Sequence, residues 1–171
     1  MATYNSEAVT RGSTARTCSR EENGFVEFSV LIPAGATLTD GDFINFFELG
    51  ANHELVEFYY TGDAKLDSGG TETLELDLGH AGSGTCIVSG VNSTDWEDAI
   101  PSILYAPTAA SGAAFASSTA TGASSRVFRA EVRTTAANAV AADAKVYGYA
   151  KYRRVPADAG TITYGWDGEA V

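Results

Sequence analysis

The strictest constraint in this sequence is an alternation. In "TLELDLG", residues 73–79, Leu74, Leu76 and Leu78 take turns with Thr73, Glu75 and Asp77. Successive side chains of a β-strand point to opposite faces, whereas a helical face repeats about every 3.6 residues. The leucines therefore belong on a buried face and the acids on a wet one. The same period of two runs through "FVEFSVLI" (25–32), grouping Val26, Phe28, Val30 and Ile32. It returns in "AKVYGYAKYRRV" (144–155), where Lys145, Tyr147, Tyr149, Lys151 and Arg153 oppose Val146, Gly148, Ala150 and Tyr152.

Further strands are expected at "ELVEFYY" (54–60), "TCIVSG" (85–90), "SILYA" (102–106), "RVFRAEVRT" (126–134) and "TITYGW" (161–166). In the first of these, Tyr59 and Tyr60 must face opposite ways. "DFINFFELG" (42–50) is apolar without clean alternation, which predicts a strand covered on both sides. Pro33-Ala34-Gly35 closes a strand with turn chemistry, and "TGDAKLDSGG" (61–70) reads as a loop. "STDWEDAIP" (93–101) carries a helix signal: Thr94 and Glu97 have capping-box spacing and Pro101 stops the turn. The small-residue run over 107–125 reads as a long loop or flap.

Residues 1–24 lack any apolar period and read as an N-terminal arm, disordered or ordered only against a partner. A chain of 171 residues suits one domain that can bury a core without disulfides or metals. The expected fold is therefore all-β: a single jelly-roll-like β-sandwich over 25–171, the extended arm over 1–24, and one short helix.

Charge narrows the partners. The net charge is −11, which opposes binding to nucleic acid or anionic membrane. No apolar stretch approaches bilayer-spanning length, and the N-terminus lacks the apolar segment of a secretory signal. The acids are unevenly spread. Residues 25–100 hold fourteen acids and the single base Lys65, whereas residues 101–171 hold seven bases and five acids. Such halves can pair between copies or orient the molecule on a charged support. Cys18 and Cys86 are the only cysteines. Free thiols in a reducing cytosol are the default, and spacing alone does not decide whether they pair.

"TETLELDLGH" (71–80) holds Glu72, Glu75, Asp77 and His80 close together, yet strand parity disperses them. His53 and His80 with Cys18 and Cys86 lack the close ligand spacings of structural zinc sites. Asp40 with Asp42, and Asp95 with Asp98, do not form a calcium loop, and turn or helix-end roles account for them. No nucleophile elbow, P-loop or dinucleotide fingerprint occurs. No catalytic, cofactor-binding or metal site is expected, and the chain is not expected to be an enzyme. A hidden pair of glycosidase carboxylates is the enzymatic alternative. Tyr59, Tyr60, Tyr147, Tyr149, Tyr152, Tyr164, Trp96 and Trp166 could serve a sugar groove or an interface instead of a core.

The order of segments carries a resemblance. A polar arm precedes "VEFSVLIPAGATLTDGDFINFFELGAN". A Gly- and Asp-rich middle with "LELDLG" follows, then "STDWEDAI", a small-residue flap and the "AKVYGYAKY" strand. Over residues 25–152 this resembles the capsid decoration (cement) proteins of tailed bacteriophages, which are of β-sandwich or jelly-roll type. The resemblance implies a virion structural protein, made in the bacterial host cytoplasm, that sits on the capsid's outer surface. It implies binding to the major capsid protein, stabilisation of the head and a homotrimeric state, with no cofactor. Arg11, Arg16 and Arg20 would then be the capsid-binding residues of the arm. The alternative is a tail or head-fibre component that binds a glycan or receptor.

Overall fold

A computed structural model of the chain describes residues 1–10, 23–50, 53–62, 64–68, 71–80, 83–92, 103–105 and 126–154. Within them run nine strands and one short helix. The strands are β1 (Thr3–Asn5), β2 (Asn23–Ile32), β3 (Phe43–Leu49), β4 (His53–Gly62), β5 (Glu75–His80), β6 (Ser83–Asn92), β7 (Ile103–Tyr105), β8 (Arg126–Thr134) and β9 (Ala144–Arg154). The helix, α1, spans Glu7–Thr10.

The strands form two sheets, ordered β1-β3-β8-β5-β6 and β2-β9-β4-β7. Apart from β1, which runs parallel to β3, the neighbouring strands are antiparallel. Four of the pairs, β2 with β9, β3 with β8, β4 with β7 and β5 with β6, are the rungs of one long antiparallel ribbon folded across itself. That connectivity is built from Greek keys.

The expected alternation sets the inside and the outside. Phe28, Val30 and Ile32 of β2, Val146, Ala150 and Tyr152 of β9, and Leu76 and Leu78 of β5 are buried, with Leu74 just ahead of β5. The sheets meet through aromatic rings. Phe28 of one sheet lies 4.9 Å from Phe46 and 5.8 Å from Phe47 of the other. Phe58 joins the same cluster, 5.6 Å from Phe46. Each ring withdrawn from water contributes about 1.5–3 kcal/mol, and tilted or offset pairs add to that.

Two expectations need correction. β3 is not covered on both sides. Its register shifts between Asn45 and Phe47, so Phe46 is an inserted residue and both Phe46 and Phe47 turn inward. A β-bulge breaks the period of two, and an ordinary half-buried strand thereby acquires an unbroken apolar run. The arm over residues 1–24 is also not separate from the body along its whole length. Thr3, Tyr4 and Asn5 pair with Phe43, Ile44 and Asn45, and the Ser6 N–H donates to the Asn45 carbonyl at 3.0 Å.

Ser6 is fully buried and caps α1: its Oγ accepts from the Val9 N–H at 3.2 Å and donates to the Phe46 carbonyl. Glu7 follows in the first turn, where a carboxylate suits the helix dipole. The signal that anchors this segment is thus a single polar cap, not an apolar stripe. The helix expected over 93–101, the flap over 107–125, the strand over 161–166 and residues 11–22 lie outside the described residues.

Candidate functional site

The acids of "TETLELDLGH" do not converge. Glu75 and Asp77 sit on the outer face of β5. Glu75 accepts from Thr134 Oγ1 at 3.0 Å. Asp77 accepts from the Gly90 N–H at 2.9 Å and lies 4.0 Å from the Arg133 guanidinium. Glu72 pairs with Lys65 at 3.0 Å. His80 meets Phe128 in a T-shaped pair at 5.7 Å, and His53 meets Tyr152 in the same way at 5.6 Å. Each of these contacts ties a side chain to its own or a neighbouring segment of the fold.

Among the described residues, no group of three or more His, Cys, Asp or Glu is gathered as metal ligands would be. No helix among them is long and apolar enough to cross a membrane. Cys86 falls within β6. Cys18, Asp95, Asp98, Tyr164, Trp96, Trp166 and the arginines Arg11, Arg16 and Arg20 lie outside the described residues.

Among the described residues two carboxylates are buried, Asp42, for which a turn role was expected, and Asp67, which did not stand out in the sequence. Asp67 is fully buried at the crossing of two loops. Its Oδ2 accepts from the N–H groups of Thr73 and Ala137, each at 2.9 Å, and of Leu74 at 3.3 Å. Its Oδ1 accepts from the Asn138 N–H at 3.0 Å and from Asn138 Nδ2 at 3.2 Å. Burial alone raises such a carboxyl, but these donors outweigh it and hold the pKa below the ordinary value.

Asp42 repeats the pattern in the "TDGD" turn. It accepts from the Thr39 N–H at 2.8 Å, from Thr39 Oγ1 at 2.9 Å and from the Ala2 N–H. Its pKa is lowered by the same balance of burial against hydrogen bonds. Both carboxylates bond the backbone donors of turns, a structural role. Aspartate beside glycine in a loop, as in "LDSGG" and "DGD", is the signal that marks them.

The two outer sheet faces differ. That of β3, β8 and β5 is laced with charge. The Arg129 guanidinium lies 3.7 Å from the Phe43 ring centroid and 3.4 Å from Glu131. That of β2, β9 and β4 is aromatic. Tyr149 stacks between Phe25 at 5.2 Å and Tyr59 at 5.1 Å. Its hydroxyl donates to Glu57 Oε1 at 2.8 Å, and Lys151 pairs with the same oxygen at 2.9 Å. These two hydrogen bonds lower the Glu57 pKa, and Glu57 in turn raises those of Tyr149 and Lys151.

Phe25 and Leu31 are about half exposed, and Tyr147 is 42% exposed. A cleft of about 460 Å³ opens here. Glu7 and Ala8 of α1, Glu27 and Ser29 of β2, Tyr59 of β4, and Tyr147 and Tyr149 of β9 all line it. Strand parity thus sorts the tyrosines: Tyr59, Tyr147 and Tyr149 face outward, whereas Tyr60 and Tyr152 are buried.

No protein-family model and no curated protein matches the sequence. Solved structures do match the fold. A chain of the capsid of Ralstonia phage GP4 superposes with a TM-score of 0.62 at 20% identity, covering 90% of this chain and 98% of that one. A chain of the cyanophage Pam1 capsid asymmetric unit superposes with a TM-score of 0.56 at 22% identity, covering 84% of this chain and 96% of that one. At these identities the likeness is one of fold.

Proposed function

We propose that the chain is a virion structural protein of a tailed phage: a jelly-roll decoration protein that binds the outer surface of the major capsid protein lattice and cements the head. The observation that carries this reading is that the fold extends over nearly the whole of two chains from phage capsid structures. The folded-ribbon pairing of β2 with β9 through β5 with β6 supports a jelly-roll reading, an architecture used in viral capsid domains. The contacts of Glu75, Asp77 and His80 are those of a packed sheet, which suits a protein that assembles more than one that reacts.

In this reading Arg11, Arg16 and Arg20 contact acidic patches of the shell. They belong to the connection between α1 and β2. A homotrimer would also place sheet edges against sister copies.

Residues 1–10 pack on the body, so deleting the arm would strip β1 and α1 as well. Charge substitution is the cleaner test. Full-length chain added to heads that lack it should co-sediment with them, and the triple change of Arg11, Arg16 and Arg20 to glutamate should weaken attachment at least about tenfold. Cryo-electron microscopy of the source particle should then place the chain on the head lattice. Density on the tail alone, or undiminished attachment of the triple variant, would overturn the corresponding part of the proposal. Light scattering after size exclusion tests the trimer.

A further inference from the structure

We propose that the outer face of the β2–β9–β4 sheet carries a binding site for a neutral saccharide, with Tyr147 as its stacking platform. This site is independent of capsid attachment.

The geometry begins with strand register. Tyr147 lies opposite Ser29 on β2 and Thr61 on β4. Both neighbours are small, so the ring has no bulky residue directly beside it. Two residues along, Tyr149 has both faces covered by Phe25 and Tyr59. Among the described residues, Tyr147 is therefore the outward tyrosine that no other ring covers, and it is 42% exposed. The cleft beside it, about 460 Å³, lies within the range of small-ligand sites.

Three polar groups around that ring are unengaged. Among the described residues, neither the Glu27 carboxylate, nor Ser29 Oγ, nor the Tyr147 hydroxyl makes a hydrogen bond or ion pair within the protein. A free carboxylate and free hydroxyls beside an open ring match the two aspects of a pyranose. Its CH face stacks on the aromatic face, and its hydroxyls donate to the acceptors.

Charge selects among ligands. The lining contains the carboxylates of Glu7 and Glu27 and no cationic side chain. Uronic and sialic acids would meet repulsion there. An apolar peptide would strip water from Glu27 without replacing its hydrogen bonds. A cation cage needs several free ring faces, and the Phe25–Tyr149–Tyr59 stack uses both faces of Tyr149 internally. One open ring bordered by acceptors is left, and a neutral sugar fits that arrangement best.

The test uses the full chain on an immobilised panel of neutral and acidic oligosaccharides, with calorimetry on any that bind. Saturable binding to at least one neutral oligosaccharide is expected. Tyr147→Ala should weaken it about tenfold or more, and Tyr147→Phe, which keeps the ring, should stay within about threefold. Both variants should melt as the parent does, because the side chain is exposed. The proposal is overturned by no saturable binding to any neutral oligosaccharide at millimolar concentration, by binding that survives Tyr147→Ala, by preference for acidic glycans, or by displacement with an arginine-rich peptide. Head attachment measured on the same Tyr147→Ala protein separates this site from the capsid role: attachment should be unchanged.

Discussion

Asp67 and Asn138 stand 71 positions apart in the chain and are joined twice, through the Asn138 backbone N–H at 3.0 Å and its Nδ2 at 3.2 Å. The remaining bonds of Asp67, to Thr73, Leu74 and Ala137, make one buried carboxylate the clasp between the loop before β5 and the loop after β8. Removing it leaves backbone donors without an acceptor, and each unsatisfied buried group costs about 1–3 kcal/mol. Asp67→Ala is expected to destabilise the fold by about 3 kcal/mol or more, read by urea denaturation. Asp67→Asn should recover only part of the loss, because one of its amide positions is a donor facing donors.

Asp67 and Asp42 together set an acid limit. The folded-state pKa values of Asp67 and Asp42 both lie below their ordinary values. A depressed carboxylate contributes stability that is fully present above the unfolded pKa of about 3.9 and is lost as pH falls through the folded value. The melting temperature should therefore hold near neutrality and fall progressively below about pH 4. The decline should be shallower in Asp67→Asn. A parallel decline in parent and variant would assign the acid sensitivity to other groups.

Gly148 faces Phe28 on one side and Tyr60 on the other. A Cβ placed on it would lie 2.0 Å from the Tyr59 carbonyl oxygen, 2.8 Å from Tyr60 Cα and 2.9 Å from Phe28 Cζ. Two of those atoms are backbone and cannot rotate away. Gly148→Ala should thus cost more than the roughly 1–3 kcal/mol of ordinary overpacking. A drop in melting temperature of about 10 °C is expected for a chain of this size. A normal melt would mean that β4 and β9 are further apart than the structure places them.

What the sequence made legible was whatever obeys the period of two. β2, β5, β8 and β9 lie where alternation puts them, with Leu74, Leu76 and Leu78 inward and Glu75 and Asp77 outward. The misses have a common cause: local pattern is silent about contacts between distant segments. Phe46 and Phe47 read as a two-sided strand because a bulge cannot be seen without the partner strand. Thr3–Asn5 read as arm because pairing with β3 is a long-range event. The outward tyrosines were visible as a set, but their sorting into the covered Tyr149 and the open Tyr147 depends on which residues stand beside them on β2 and β4.

Phe58 packs against rings of both sheets. It lies 5.7 Å from Phe28, 5.6 Å from Phe46, 6.0 Å from Phe47 and 5.5 Å from Tyr60. Truncation to alanine removes a fully buried ring and leaves a cavity bordered by rigid aromatics that collapse poorly. Phe58→Ala is expected to cost about 3–5 kcal/mol, whereas Phe58→Leu should cost roughly half of that. Denaturant midpoints of the two variants check the ordering.

The outward acids of β5 make the opposite prediction. Glu75 accepts one hydroxyl hydrogen bond, from Thr134, and a neutral amide oxygen at the same place accepts it equally well. Glu75→Gln should therefore shift stability by no more than about 0.5 kcal/mol, as is usual for surface positions. Asp77 differs because it accepts the N–H of Gly90, a residue held at a φ of 71°. Asp77→Ala removes that acceptor and the nearby Arg133 charge contact, so a loss of about 1 kcal/mol is expected. Asp77→Asn, which keeps the oxygen, should lose less. If both acids belonged instead to a hydrolytic centre, conservative amide substitutions would leave stability intact or raised and abolish a measurable hydrolysis. Assaying the parent and the Glu75→Gln and Asp77→Asn variants on neutral oligosaccharides therefore decides between a sheet surface and a reacting site, and a turnover in the parent that both variants lose would refute the structural role assigned to β5.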